Sequence, residues 1–109
     1  MPYRPPPIGR KLLEITGPAR ADMDDALAHL AREVGIDIAV AFADRLDAEL
    51  SRLALIGHAG VSREWLSPGL RMTVVGNFSV YFRVTEAQTI VIRVLRGSRD
   101  FTRISFDQQ

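Results

Sequence analysis

The spacing of apolar residues along the chain changes near position 69. Before it, apolar residues recur every three or four positions over 18–34, and again from 36 to about 56, which is the spacing of one face of an α-helix. Gly17 and Pro18 suit the start of the first helix as cap and first residue, and Gly35 suits its end. The sequence therefore predicts two helices that form an antiparallel hairpin, with their apolar faces turned toward the same layer.

After position 69, apolar and polar residues alternate, which is the pattern of strands with one covered face. We predict three strands near 70–75, 78–85 and 89–96, joined by tight turns, and a further strand near 11–16 before the helices. Neither the helices nor the strands can bury an apolar face alone. The predicted fold is therefore α+β, in the order β-α-α-β-β-β, with the helix hairpin packed on an antiparallel meander that the first strand joins.

Alternation also predicts which side chains point away from the helices, because residues i and i+2 share one face of a strand. If Leu70, Met72 and Val74 face the helices, an outer face carries arginines and a tyrosine. Its polar members are Arg71, Thr73, Ser79, Tyr81, Arg83 and Arg93. Its apolar members are Val75, Val91 and Leu95. Apolar residues among exposed arginines suggest that a partner covers part of this face.

Composition limits the remaining possibilities. The chain has 109 residues and no cysteine, so we expect one domain over 10–109 without disulfides or cysteine-ligated metals. Residues 1–9 hold four of the six prolines and are expected to form an extended arm. No apolar run approaches the ~20 residues of a membrane helix, and the N-terminus does not resemble a signal peptide. We therefore expect a cytoplasmic protein.

The charge distribution is uneven although the net charge is only +1. An acidic middle segment, 18–62, separates two basic ends, and arginines at 93, 96 and 99 cluster at the end of the last strand. A phosphate- or carboxylate-binding site is one interpretation of this cluster, and a surface ion-pair network is the other. The small net charge argues against nucleic-acid binding by bulk charge.

Other chemistry has little support in the sequence. There is no nucleotide-binding glycine motif, and His29 and His58 lack the spacing of metal ligands, so we expect no cofactor and no metal. We expect His29 and the helix carboxylates to be solvated surface groups. We expect Trp65 to pack at the end of the core.

Three segments together resemble the RelE/ParE toxin superfamily. They are PGLR at 68–71, VVGNFSVYFRV at 74–84 and IVIRVLRGSRD at 90–100. The similarity extends over about residues 11–104 when the preceding strand and helices are included. It implies a toxin of a type II toxin–antitoxin system that is neutralised by a small, ParD-like antitoxin.

The resemblance implies one of two activities, inhibition of DNA gyrase as in ParE-like members or ribosome-dependent mRNA cleavage as in RelE-like members. RNA cleavage requires groups that exchange protons. The family's closing histidine is replaced here by Arg96, which is too basic for that role. We therefore favour gyrase inhibition by binding. The alternatives are a RelE-type endoribonuclease and a non-toxic binding module with the same fold.

The resemblance and the predicted faces together assign candidate site residues. Six are expected to bind the target: Arg71, Tyr81, Arg83, Arg93, Arg96 and Arg99. Three apolar positions, Val75, Val91 and Leu95, are expected to bind the antitoxin together with the helix hairpin. No catalytic residue is assigned.

Overall fold

A computed structural model describes residues 12–56 and 60–97 of the chain. Two helices pack on one face of a five-stranded sheet, which confirms the α+β prediction. The elements are β1 (Leu12–Ile15), α1 (Gly17–Glu33), α2 (Ile36–Leu55), β2 (Val61–Ser62), β3 (Arg71–Val75), β4 (Phe78–Val84) and β5 (Gln88–Arg96). The predicted boundaries of both helices and of four strands agree with these to within a few residues. Neither helix is long and apolar enough to cross a membrane.

The strand order in the sheet is β1-β5-β4-β3-β2. The predicted meander β3-β4-β5 is antiparallel, whereas β1 pairs with β5 in parallel, so the sheet is mixed. Parallel pairing needs a long connection, and here the chain between β1 and β5 runs through both helices and through β2, β3 and β4. The two-residue strand β2 was not expected, because the segment around it is rich in glycine and polar residues.

Thr16 joins the start of α1 to the sheet. Its hydroxyl accepts a hydrogen bond from the Ala19 N–H at 3.1 Å and donates one to the Ile92 carbonyl at 3.0 Å. Thr16 is therefore the N-cap, and Gly17, which was predicted to be the cap, is the first residue of the helix. These bonds position the first turns of α1 beside β5.

The main core lies between the helices and the sheet. Phe42 of α2 and Phe78 of β4 contact each other with ring centroids 4.8 Å apart. The buried members are Ala19, Ala26, Phe42, Leu46, Leu50, Leu53, Val75, Phe78, Val80, Phe82, Val91 and Val94. A Phe pair of this geometry adds about 0.5–1.5 kcal/mol beyond its area burial.

A second apolar cluster lies on the other face of the sheet, which we call the outer face. It consists of Leu70, Tyr81, Ile90, Ile92 and Leu95, with Leu66 and Met72 packed against them. The predicted facing is therefore correct for β4 and for Val94 and Leu95 of β5, but wrong for β3 and for the first half of β5. In those strands Leu70, Met72, Ile90 and Ile92 point outward, whereas Val75 and Val91 lie under the helices.

Two local features explain the error. β3 ends in adjacent valines, Val74 and Val75, so simple alternation did not decide which one is covered. β5 contains a bulge, since Phe82 pairs with Val91 but its neighbour Tyr81 pairs with Arg93. One extra residue in a strand reverses the facing of the residues beyond it. Trp65, which was predicted to be in the core, is 73% exposed.

Candidate functional site at the arginines of the sheet

The predicted target-binding residues do not share one face. Arg71 pairs with Phe82 and lies on the helix side, where its guanidinium donates to the Gly60 carbonyl at 3.1 Å. Tyr81 and Arg83 lie on the outer face, as predicted for β4. The expectation of a single arginine surface is therefore wrong.

Arg93 is held by an acidic residue of α1. Its Nε and one terminal nitrogen donate to the two carboxylate oxygens of Asp22 at 2.7 and 2.9 Å. The same carboxylate accepts the backbone N–H of Val94 at 2.9 Å. Both side chains are mostly buried, 22% and 13% exposed, and the bond to Asp22 raises the pKa of Arg93. The positive charge of Arg93 is therefore matched within the chain.

Asp22 is the residue that sequence reasoning missed, because the helix carboxylates were all expected to be solvated. One signal pointed to it. Asp22 precedes Ala26 by four residues, so both lie on the same face of α1, and Ala26 belongs to the apolar stripe. A carboxylate beside an apolar stripe requires a partner when it is covered.

Arg96 is exposed at the end of β5 and contacts His29 of α1. A guanidinium can only donate, so Arg96 is the donor in this contact. Arg96, His29, Asp22, Asp25 and Arg93 are the polar groups of a cleft of about 330 Å³ between α1 and β5. His29 is thus a surface histidine, as predicted, but with a specific partner. Arg99 and His58 lie outside the described residues.

Arg83 and Tyr81 are both engaged on the outer face. Arg83 Nε donates to the Pro68 carbonyl at 3.1 Å, and another of its nitrogens contacts the Ser67 hydroxyl. Tyr81 is only 1% exposed. Burial raises the pKa of the Tyr81 phenol, with smaller opposing effects from Arg63 and Ser79. The phenol is therefore kept protonated and enclosed at neutral pH.

The three apolar positions assigned to the antitoxin are all buried within the chain. Val75 and Val91 belong to the core under the helices, and Leu95 belongs to the outer cluster, with exposures of 3%, 0% and 3%. The expectation that they form an exposed docking surface is wrong. Exposed apolar residues occur instead near the hairpin turn and on β1, where Ile36 is 70% exposed and Leu12 is 71% exposed.

A third polar cluster joins α2 to β3. Glu49 forms a bidentate pair with Arg52 at 2.5 and 2.9 Å and accepts the Thr73 hydroxyl at 2.7 Å. The bond to Arg52 lowers the pKa of Glu49 despite partial burial. Among the described residues, no group of three or more histidine or acidic side chains is arranged to hold a metal ion.

Comparisons with solved structures define the class of protein by its fold. The chain superimposes on a toxin–antitoxin structure described as the chromosomal ParDE system of P. aeruginosa with a TM-score of 0.70 and 24% identity, covering 83% of this chain and 99% of that one. The RelBE2 toxin–antitoxin complex of Mycobacterium tuberculosis gives a TM-score of 0.51 and 19% identity over 80% and 98% of the two chains. At these identities the likeness concerns the fold, which is that of ParE and RelE toxins.

The sequence gives a narrower assignment. The model of the family described as ParE toxin of type II toxin-antitoxin system, parDE, matches residues 13–101. Toxin ParE3 of Caulobacter vibrioides is 28% identical over 82 residues, which are 75% of this chain and 82% of that relative. This chain belongs to the family of ParE toxins of type II toxin–antitoxin systems.

Proposed function

We propose that this toxin acts in the cytoplasm by binding DNA gyrase and blocking replication, without cleaving RNA, and that a cognate antitoxin neutralises it. Membership of the ParE family supports this target over the ribosome, since the family resemblance associates ParE-like members with gyrase. The antitoxin is supported by the two solved relatives, which are described as toxin–antitoxin systems.

The burial of Tyr81 is the observation that supports binding over catalysis most strongly. Cleavage by attack of an RNA 2′-hydroxyl requires a proton acceptor and a proton donor, each contributing ~10²–10⁴-fold. Tyr81 carries the phenol of the outer face, and it is 1% exposed with a raised pKa. The position of the family's histidine holds Arg96, whose guanidinium does not release its proton near neutral pH.

Of the predicted target-binding arginines that the structure describes, Arg96 is the best placed to contact a target. It is exposed, whereas Arg93 is paired with Asp22, and Arg71 and Arg83 donate to backbone carbonyls. Charge-assisted bonds from Arg96 to a target carboxylate or phosphate would each contribute about 1.5–3 kcal/mol. Arg99 stays a sequence-based prediction of a further target-binding residue.

Two assays run in parallel test the target. Purified toxin is added to a gyrase cleavage and supercoiling reaction and, separately, to ribosomes programmed with mRNA. We expect trapped gyrase cleavage complexes and intact mRNA. Ribosome-dependent mRNA cuts with unaffected supercoiling would contradict the proposal, and absence of any growth effect on expression would favour a non-toxic binding module.

A matched pair of variants tests the contact residue. Arg96→Ala is expected to reduce gyrase inhibition about tenfold or more, which corresponds to the loss of one charge-assisted bond. Arg20→Ala removes another exposed arginine, near the start of α1 and nine residues before His29, and should leave inhibition unchanged. Equal inhibition by both variants would contradict the role of Arg96.

A further inference from the structure

Several stretches of strand edge have no neighbouring strand among the described residues, and three of them belong to the outer strands β1 and β2 or to β5. These three are the outer side of β2, the part of β5 beyond Val91, and the outer side of β1. An open edge presents unpaired backbone N–H and C=O groups and can pair with another chain unless it is short, blocked or charged. The three edges differ in this respect.

Two of the edges are protected. β2 has only two residues, Val61 and Ser62, before the chain turns. At the end of β5, the Gly97 N–H donates to the carbonyl of Asn77, the residue before β4. Backbone groups alternate in direction along a strand, and Val94 is three residues before Gly97. The backbone groups of Val94 therefore point away from β4, toward the open edge. There the Val94 N–H is taken by the Asp22 carboxylate. A side chain therefore occupies the place of a neighbouring strand.

The outer edge of β1 has no such protection. The N–H groups of Leu12 and Thr16 donate to β5 or the turn before it, to the carbonyls of Ala87 and Val91 at 3.0 and 3.1 Å. Because backbone groups alternate in direction along a strand, those of Leu13 and Ile15 point toward the open edge. Residues 12–15 contain no proline, no lysine and no bulge. Two donors and two acceptors are thus aligned along one exposed strand.

The side chains of β1 define what would fit there. Leu12 is 71% exposed on the outer face and Leu13 is 38% exposed on the helix side, so the strand offers apolar contacts on both faces. Glu14 is exposed beside Leu12 on the outer face. A complementary strand would carry apolar residues on both faces and a lysine or arginine next to Glu14.

We propose that β1 is a docking edge, at which an extended, apolar segment of the antitoxin with a basic residue opposite Glu14 adds to the sheet as a sixth strand. This inference rests on the proposed neutralisation by an antitoxin. A second copy of the chain fits less well. Symmetric antiparallel pairing centred on Leu13 would place Glu14 of each copy opposite Leu12 of the other, where no cation meets the carboxylate.

A proline substitution at one residue tests the docking edge. Leu13→Pro removes a backbone N–H that points away from β5, so every hydrogen bond between β1 and β5 is retained. Leu13→Ala is the control, because it shortens the side chain but keeps the N–H. The probe is the purified protein encoded by the reading frame beside the toxin gene, titrated calorimetrically into each full-length variant. We expect Leu13→Pro to weaken binding roughly tenfold more than Leu13→Ala does.

Hydrogen exchange provides a measurement that does not depend on a substitution. In the free toxin the amides of Leu13 and Ile15 should exchange faster than those of Leu12 and Glu14, and in the complex they should become equally slow. Unchanged affinity of Leu13→Pro, or unprotected Leu13 and Ile15 amides in the complex, would overturn the docking edge while leaving neutralisation intact. Protection of Leu13 in the toxin alone that rises with its concentration would also overturn it, in favour of a second copy. Failure of the neighbouring protein to bind the unmodified toxin would contradict the proposed neutralisation itself.

Discussion

Replacement of Asp22 by alanine is expected to lower the free energy of unfolding by about 2–3 kcal/mol. The carboxylate accepts two bonds from Arg93 and one from the Val94 N–H, at 2.7, 2.9 and 2.9 Å. Breaking a fully buried ion pair costs about 3–5 kcal/mol. The side chains of Arg93 and Asp22 are 22% and 13% exposed, so water replaces part of what is lost and the expected cost is smaller.

The prediction is checked by urea unfolding at neutral pH, with the midpoint and the slope fitted separately. Asp22→Asn keeps an oxygen for Val94 and should lose about half as much stability as Asp22→Ala. A double-mutant cycle with Arg93→Met isolates the pair, for which we expect a coupling of about 1–2 kcal/mol. Asp24→Ala is the control, because Asp24 lies two residues away on α1 and is exposed. A coupling below about 0.5 kcal/mol, or equal losses for Asp22→Ala and Asp24→Ala, would refute this account of how α1 is fixed to β5.

Three further predictions concern other parts of the chain. The pKa of Glu49 is lowered by its bond to Arg52, so the pair stabilises the fold at pH values above the ordinary glutamate pKa. This contribution is lost as the pH falls through the lowered value. The difference in unfolding free energy between the wild type and Glu49→Gln, measured by urea unfolding, should therefore be larger at pH 7 than at pH 3. Gly60→Ala should lower the free energy of unfolding by about 2 kcal/mol or more, because φ is +80° and an added Cβ would collide with the Met72 backbone carbonyl. Gly17→Ala is the control, because a Cβ there meets nothing within 4 Å and should leave thermal unfolding nearly unchanged. Tyr81→Phe keeps the buried ring and removes only the hydroxyl, so growth inhibition on expression should persist. A loss of toxicity of ~10²-fold or more would contradict this and would indicate that the phenol transfers a proton.

The elements of the fold could be predicted from the sequence because each depends on local periodicity. The period of 3.6 over 18–34 and 36–56 and the period of two after position 69 predicted both helices and the three strands of the meander. Strand facing was less predictable, because it depends on a bulge opposite Tyr81 that alternation alone does not reveal. A sheet with apolar residues on both faces also lacks the contrast between faces that fixes the register.

The candidate site was less predictable than the fold, because its contacts join distant parts of the chain. Asp22 and Arg93 are 71 residues apart in sequence, and His29 and Arg96 are 67 apart. The sequence correctly indicated that Arg93 and Arg96 lie close together near the end of β5, where both line one cleft. It could not indicate that one of them is already paired with α1, since that depends on how the helix packs against the strand.

The two proposed contacts lie at different ends of the sheet, and this separation bears on how neutralisation works. Ile15, the last residue of β1, is opposite Val91, and Arg96 lies five residues further along β5. At about 3.3 Å per residue, a segment that ends beside Ile15 stops roughly 17 Å short of Arg96. Docking at β1 alone would therefore bind the toxin without covering its exposed arginine. If both proposals hold, full neutralisation requires an antitoxin chain that continues past the start of α1 toward the cleft between α1 and β5, where Asp25 and His29 line the cleft beside Arg96.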